Sequence, residues 1–436
     1  MLQAASRFNQ LLQHFPRTEF ASLVEKHRAE RAAKGFACWT QFVAMTFCPL
    51  AHADSLREIC NGWACREGKL VHLGITNAPN KSTLSYANEH RPAALFEDSF
   101  YTSLKRFREQ EGMGARKARF RFKNKLLSLD STTISRCLDL FPWAKFRRAK
   151  GGVKAHVLLD HDDYLPSYVL ITEAKKSDVR IAQSLDLNAG SMGAMDRGYN
   201  DYALFRKWTD GEVFFVTRLK DNAAYEVVES AMGPLPHNIL ADELIRFTGA
   251  QAVKDCPHLM RRVVVWDPIN EREIVRLTNA LHFGPTTIAA IYKDRWEIEL
   301  FFKALKQNLK VKSFVGTSRN ALLIQIWTAL IAMLLLKWLH HLSTRSSRHA
   351  RRCPSPRWTR SGPSCRNCAG TAVMLCRRTS SKYRLPGNRS GIKSPNCRPS
   401  RRARSNINAI AWSVRSAAKA RARRFQRKPK GASARN

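Results

Sequence analysis

Beyond Glu299 the 436-residue chain contains no aspartate and no glutamate. Residues 341–436 hold 26 Lys or Arg and no acid, which leaves residues 1–340 with +13 of the +39 formal charge. A segment of one sign excludes a self-neutralised surface and predicts a polyanionic partner, because basic chains gain by displacing counterions from nucleic acid. The same segment lacks a sustained apolar period. Its Arg, Ser and Pro composition predicts a disordered basic low-complexity tail, for which translation in a shifted reading frame near residue 340 is the favoured account. Long hydrophobic runs are also scarce. The longest, residues 321–336, is interrupted by Gln325 and Thr328. It falls short of the roughly 20 residues that span a bilayer, so a buried last helix and no membrane partner are expected.

Other absences narrow the class further. The 11 cysteines are odd in number and suggest no disulfide framework, and Cys365-x2-Cys368, with Cys353 and Cys376 nearby, lacks the second knuckle of a zinc site. No charged-then-apolar leader opens the chain, which points to a cytoplasmic, nucleoid-associated bacterial protein. There is no GxxxxGK[ST], hence no ATP-driven step, and Lys150-Gly151-Gly152 reads as a plain turn. No Ser, His and Asp set stands out. What is present, 44% hydrophobic residues, suffices for a large core and excludes a collagen or a wholly disordered chain.

Residues 1–110 read as an α-helical N-terminal domain, in which Phe8, Leu11, Leu12 and Phe15 recur at helical spacing. The order of helix, turn and helix through Asp54, Ser55 and Asn80 permits DNA binding and equally a plain bundle. Residues 111–125 form a basic linker, part of a run of Lys and Arg from 105 to 125 interleaved with Phe107, Phe120 and Phe122, suited to tracking phosphates. From 126 the texture changes to strands: 126–130, 153–160 and 165–171, then a helix capped by Asp178, a strand over 191–196, a helix and a strand over 212–219. That order predicts an α/β, ribonuclease H-like mixed sheet over 126–340. Residues 222–285 read as an inserted β-rich subdomain, and His161-Asp162-Asp163 reads as the solvent turn of a hairpin.

A single helix is expected from 286 to 309. At about 100° per residue, Tyr292, Arg295, Glu299, Lys303, Lys306 and Lys310 fall on one stripe, opposite an apolar side with Leu300, Phe301 and Leu305. One carboxylate among cations cannot hold Mg²⁺ alone, since two ions sharing a phosphate need carboxylates converging from different elements. Asp130 and Asp196, each closing a short apolar run, are the expected partners of Glu299.

Tyr292-x2-Arg295-x3-Glu299-x6-Lys306 resembles the signature of DDE insertion-sequence transposases whose catalytic core carries a β-rich insertion. Leu129-Asp130-Ser131-Thr132 is similar to the first acidic motif of that family and Met195-Asp196-Arg197-Gly198-Tyr199 to its second. The motifs keep the family order, 66 and then 103 residues apart. The resemblance covers residues 1–340 and implies a DNA transposase. Such an enzyme binds terminal inverted repeats in double-stranded DNA, cleaves through a hairpin intermediate and joins the ends to target DNA. It implies two Mg²⁺ ions, for which Mn²⁺ can substitute, on the catalytic Asp130, Asp196 and Glu299. DNA contacts are implied at Tyr292, Arg295 and Lys306, with Trp296, Lys303 and Lys310 beside them; Trp296 or Trp266 would stack a flipped base unless buried as core. A homodimer is expected in synapsis, although the tail does not continue the folded C-terminal helices such a dimer uses. A DNA-binding relic without activity, and a metal nuclease without strand transfer, are the alternatives.

Overall fold

The computed structural model describes residues 7–31, 33, 35–65, 70–110, 112–114, 120–135, 152–236, 238–308, 316, 318–352, 358–359 and 362–363. Lys310, Lys150 and Gly151 of the expected Lys150-Gly151-Gly152 turn, the tail cysteines and most of the tail expected over 341–436 lie outside them. The chain divides into two units, Met1–Arg352 and Cys353–Asn436. In the second, Trp358–Thr359 pairs antiparallel with Gly362–Pro363.

Among the described residues the first unit opens with six α-helices: α1 (Arg7–Leu12), α2 (Arg17–Lys26), α3 (Cys38–Ala51), α4 (Leu56–Ala64), α5 (Lys81–His90) and α6 (Ala94–Glu109). Ser55 caps α4 by accepting the Glu58 amide, and Asn80 caps α5 by accepting that of Ser82. In α3, residues on every side are buried, including Trp39, Phe42, Val43 and Met45, which marks a central helix. It packs on α12 (Arg319–Arg352), and one core joins these helices to Ile134, Val153, Val157 and Leu165 of the sheet. The stretch Arg319–Thr344 of α12 is long and apolar enough to cross a membrane, yet 78% of its most apolar window is buried inside the protein. The helix continues through Arg352, past the point near 340 where the sequence loses its folded texture.

Nine strands form one mixed sheet: β1 (Leu126–Ser135), β2 (Gly152–Asp160), β3 (Leu165–Glu173), β4 (Met192–Met195), β5 (Phe214–Arg218), β6 (Tyr225–Ser230), β7 (Ile239–Phe247), β8 (Met260–Asp267) and β9 (Arg272–Thr278). Their order is β3-β2-β1-β4-β5-β9-β8-β7-β6, with β1, β4 and β5 parallel and every other pairing antiparallel. The helices α7 (Asp178–Ser184) and α8 (Tyr202–Asp210) supply the crossovers, and α9 (Ala250–Asp255) lies between β7 and β8. Residues 222–285 therefore extend the sheet beyond β5.

Alternation along the strands sorts side chains to the two faces. Leu127, Leu129 and Met195 join α7 and α8, while Leu126, Met192, Ala194 and Val216 join α10 (Pro285–Asp294). Gly193 is the one position on β4 where bulk is barred: a Cβ there would lie 2.9 Å from Trp208.

Two sequence expectations change. The first acidic strand does not end at Asp130 but runs to Ser135, because β2 continues to pair with it after β4 has stopped. The helix expected from 286 to 309 is also broken, into α10, α11 (Trp296–Lys303) and a π-helical turn over Ala304–Asn308. The break falls where consecutive residues Asp294 and Arg295 are both buried.

Candidate active site

The parallel ladder between β1 and β4 ends at Leu129 opposite Met195. Asp130 and Asp196 are the next residues on each strand, so the register sets them side by side, on the sheet face that α10 covers. Asp130 is largely buried; desolvation, with smaller contributions from Asp196 and Glu299, pushes its carboxyl up to about 6 against the Ser131 amide and Arg295, which lower it. All three acids thus share one electrostatic neighbourhood, reached from β1, the end of β4 and α11.

Arg295 sits between two of them. Its Nη1 is 3.4 Å from Asp130 Oδ2 and its Nη2 donates to Glu299 Oε1 at 3.1 Å. The guanidinium also lies over the Tyr292 ring, 5.6 Å from the centroid. A second buried arginine, Arg276 of β9, covers that ring at 5.2 Å. Its Nε and Nη1 have no acceptor among the described residues, and burial lowers it to about 10. Tyr292 is thus held between two guanidinium groups at the edge of the acids.

The described residues of the expected stripe lie on α10, α11 and the π turn, with Arg295 at the junction of α10 and α11, but the stripe is not the outward face that regular helical spacing suggests. Arg295 is buried and turned toward the acids. Leu300, expected in the core, is exposed together with Trp296, which is 58% exposed, so an apolar pair four residues apart flanks Glu299. Trp266 is exposed too. Neither tryptophan is core. Lys303 closes α11, and Lys306 lies in the π turn, a distortion frequent at functional sites.

The donors fit a hard divalent cation in kind, being carboxylates that already share a positive charge. In position they await rearrangement: among the described residues no group of three or more His, Cys, Asp or Glu is gathered closely enough to hold a metal ion, and Arg295 occupies the space between Asp130 and Glu299.

Sequence reasoning misplaced one turn and missed the buried groups around it. His161-Asp162-Asp163 does turn between β2 and β3 and exposes Asp162, but the side chains of His161 and Asp163 are covered by protein. Arg108 of α6 grips Asp163 through two bonds of 2.6 and 3.0 Å and lies 3.4 Å from Asp160, which Lys125 reaches at 2.9 Å. Two cations expected to track phosphates are therefore paired with carboxylates of the chain itself, Lys125 while still exposed. His161 connects Ser128 to Asp294, and a neighbouring network joins Asp178 to His156 and Lys154. One signal was available: Asp294 is three residues after Ile291 and four before Ile298, so it falls on the apolar side of the helix.

A transposase DDE domain family matches residues 121–335, and a domain of unknown function matches residues 3–76. A Sinorhizobium fredii protein named as a transposase is 32% identical over 264 residues, 60% of this chain and 71% of that protein. A Geobacillus stearothermophilus protein named as a transposase for insertion sequence IS5377 is 33% identical over 223 residues, 50% of this chain and 58% of that protein. A solved piggyBac transposase synaptic complex with hairpin DNA aligns with 86% of this chain and 88% of that chain, at 10% identity and a TM-score of 0.40. The domain match covers the stretch that holds Asp130, Asp196 and Glu299, and together with the relatives it shows the family: the chain belongs to the DDE transposases of insertion sequences.

Proposed function

We propose that this transposase uses Asp130, Asp196 and Glu299 as its catalytic acids, that it binds the terminal inverted repeats of its own element, and that it cleaves through a hairpin and joins the ends to target DNA. The observation that carries the reading is the register of β1 and β4, which sets Asp130 beside Asp196 while Arg295 draws Glu299 toward them. The β3-β2-β1-β4-β5 order, with three antiparallel strands followed by two parallel ones, supports a ribonuclease H-like catalytic core.

DDE enzymes work with divalent ions; here Asp130, Asp196 and Glu299 would hold two Mg²⁺, with Mn²⁺ able to replace them, and the ions would supply Lewis-acid stabilisation at phosphorus. The chain's own residues do the rest. Arg295 neutralises the acids while the site is empty of DNA and turns to a backbone phosphate when the ions take over that charge. Tyr292, Lys303, Lys306 and Lys310 complete the phosphate contacts of the Tyr-Arg-Glu-Lys signature. Trp296, exposed beside Glu299, offers its ring to a base that leaves the helix, as hairpin formation requires.

The N-terminal helices over 1–110 are proposed to bind DNA, with Lys81, Ser82, Ser85 and Tyr86 on the exposed side of α5 as the reading face. Residues 111–125 are the linker, 126–340 the catalytic domain with its insertion at 222–285, and synapsis is proposed to pair two copies at the bacterial nucleoid.

The test is a cleavage assay on a labelled duplex carrying the element's terminal repeat, with Mg²⁺ and with EDTA, resolved on a denaturing gel. A Mg²⁺-dependent nick and hairpin at the repeat boundary is expected. Glu299→Gln should abolish both products and leave duplex binding intact; cleavage by that variant would sink the acid assignment.

A further inference from the structure

Asp294 is the last residue of α10, and its carboxylate is almost wholly buried. Its Oδ2 lies 3.1 Å from His161 Nδ1, and His161 Nε2 lies 2.7 Å from Ser128 Oγ. An ionised Asp294 only accepts, so Nδ1 carries the hydrogen and Nε2 faces the serine. The sequence of atoms is that of a hydrolase triad, but Ser128 has no exposed surface, so no substrate meets its hydroxyl.

What the chain of bonds spans is more informative. At one end Ser128 precedes Asp130 by two residues on the same face of β1; at the other, Asp294 immediately precedes Arg295. The His161 backbone amide donates to Leu126 O at 3.1 Å, fixing the histidine to β1 as well. It therefore ties β1, two residues before Asp130, to the end of α10, one residue before Arg295. Arg295 follows Asp294 directly and Glu299 lies one helical turn further on, so fixing the Asp294 carboxylate fixes the start of α11. A buried carboxylate is costly unless paired, so the pair is a deliberate fixture of that point.

We propose that His161 and Asp294 are positioning residues of the acid site, holding the junction of α10 and α11, and with it Arg295 and Glu299, at a fixed place relative to Asp130. The proposal rests on the acid assignment above. Groups that orient metal ligands from behind contribute about 10- to 100-fold to affinity or rate.

The experiment uses the full chain and reads four quantities: single-turnover cleavage of the terminal duplex, affinity for that duplex, Mn²⁺ binding by electron paramagnetic resonance, and Tm. His161→Leu removes both bonds, Asp294→Asn removes the charge at constant shape, and His161→Asn retains an amide hydrogen close to where Nδ1–H stands. His161→Leu and Asp294→Asn should lose about 10- to 100-fold in cleavage and in Mn²⁺ affinity with duplex affinity unchanged, and His161→Asn should recover most of both. Equal losses in His161→Asn and His161→Leu, or cleavage losses without weakened Mn²⁺ binding, would overturn the proposal. If His161→Leu does not fold, Asp294→Asn and His161→Asn carry the comparison. Glu299→Gln is run beside them. If it still cleaves, the acid assignment falls and takes the clamp with it; wild-type Mn²⁺ binding and cleavage in Asp294→Asn beside an inactive Glu299→Gln overturn the clamp alone.

Discussion

Two hairpin turns in the sheet have similar local chemistry and opposite surroundings. Between β2 and β3, Asp163 accepts the Leu165 amide at 2.9 Å; between β8 and β9, Asp267 accepts the Ile269 amide at 3.1 Å. Both are aspartate turns that the sequence places at the ends of strands. The second is what it looks like, with Ile269 85% exposed and Asp267 held down mainly by Asn270. The first is a hub. Arg108 from α6 and Lys337 from α12 close on it, and His161 reaches α10. Local turn chemistry fixes the bend of the chain and says nothing of what will pack against it.

Substitutions can widen or erase that contrast. The largest effect is expected at the hub: Asp163→Ala leaves the part-buried Arg108 with Asp160 in place of its bidentate partner and should cost about 2–3 kcal/mol, read from chemical denaturation. A loss below about 1 kcal/mol would mean that the turn is a surface feature after all.

Acid comes next. Asp178 lies beside the same strands, on the opposite side of the sheet from α10; desolvation alone would raise its carboxyl, but hydrogen bonds from His156, Ser131 and Lys154 bring it down from the ordinary 3.8 to about 2. A lowered folded pKa gives stability that is present above 3.8 and lost as pH falls through that range toward about 2. Asp178→Asn should therefore destabilise by about 1–2 kcal/mol near neutrality, after allowing for partial exposure, and flatten the stability profile below pH 4. An unchanged acid limb would remove Asp178 from the network.

The smallest effect belongs to the outer turn. Asp267→Ala should change stability by about 0.5 kcal/mol or less, as exposed substitutions commonly do, and should leave Tm within about two degrees. A cost near that of Asp163→Ala would show that the β8–β9 turn also packs against something.

Much of the site was legible before any fold. Asp130, Asp196 and Glu299 stand in apolar contexts that mark strands and a helix, and the ordered spacing of their motifs pointed to one family. Less legible was how the helix would present its residues. Helical spacing shows which residues share a side and not which side will be covered, and packing left Arg295 buried and Leu300 exposed. The internal pairing of Arg108 and Lys125 was hidden for a different reason: a basic residue looks the same in sequence whether its anion is DNA or an aspartate 55 or 35 residues away.

Sequence alone determined the periodicities that make β1, β4 and the helices, the identity and order of the acids, and the one-signed charge after Glu299. These follow from local sterics and composition, which every window of the chain carries within itself. Tertiary structure decided which charges face each other. The parallel register of β1 and β4 put Asp130 beside Asp196, and the packing of α11 on β1 let Arg295 bridge Asp130 to Glu299. Electrostatic energy depends on distance and burial, and neither exists until segments far apart in the chain have packed.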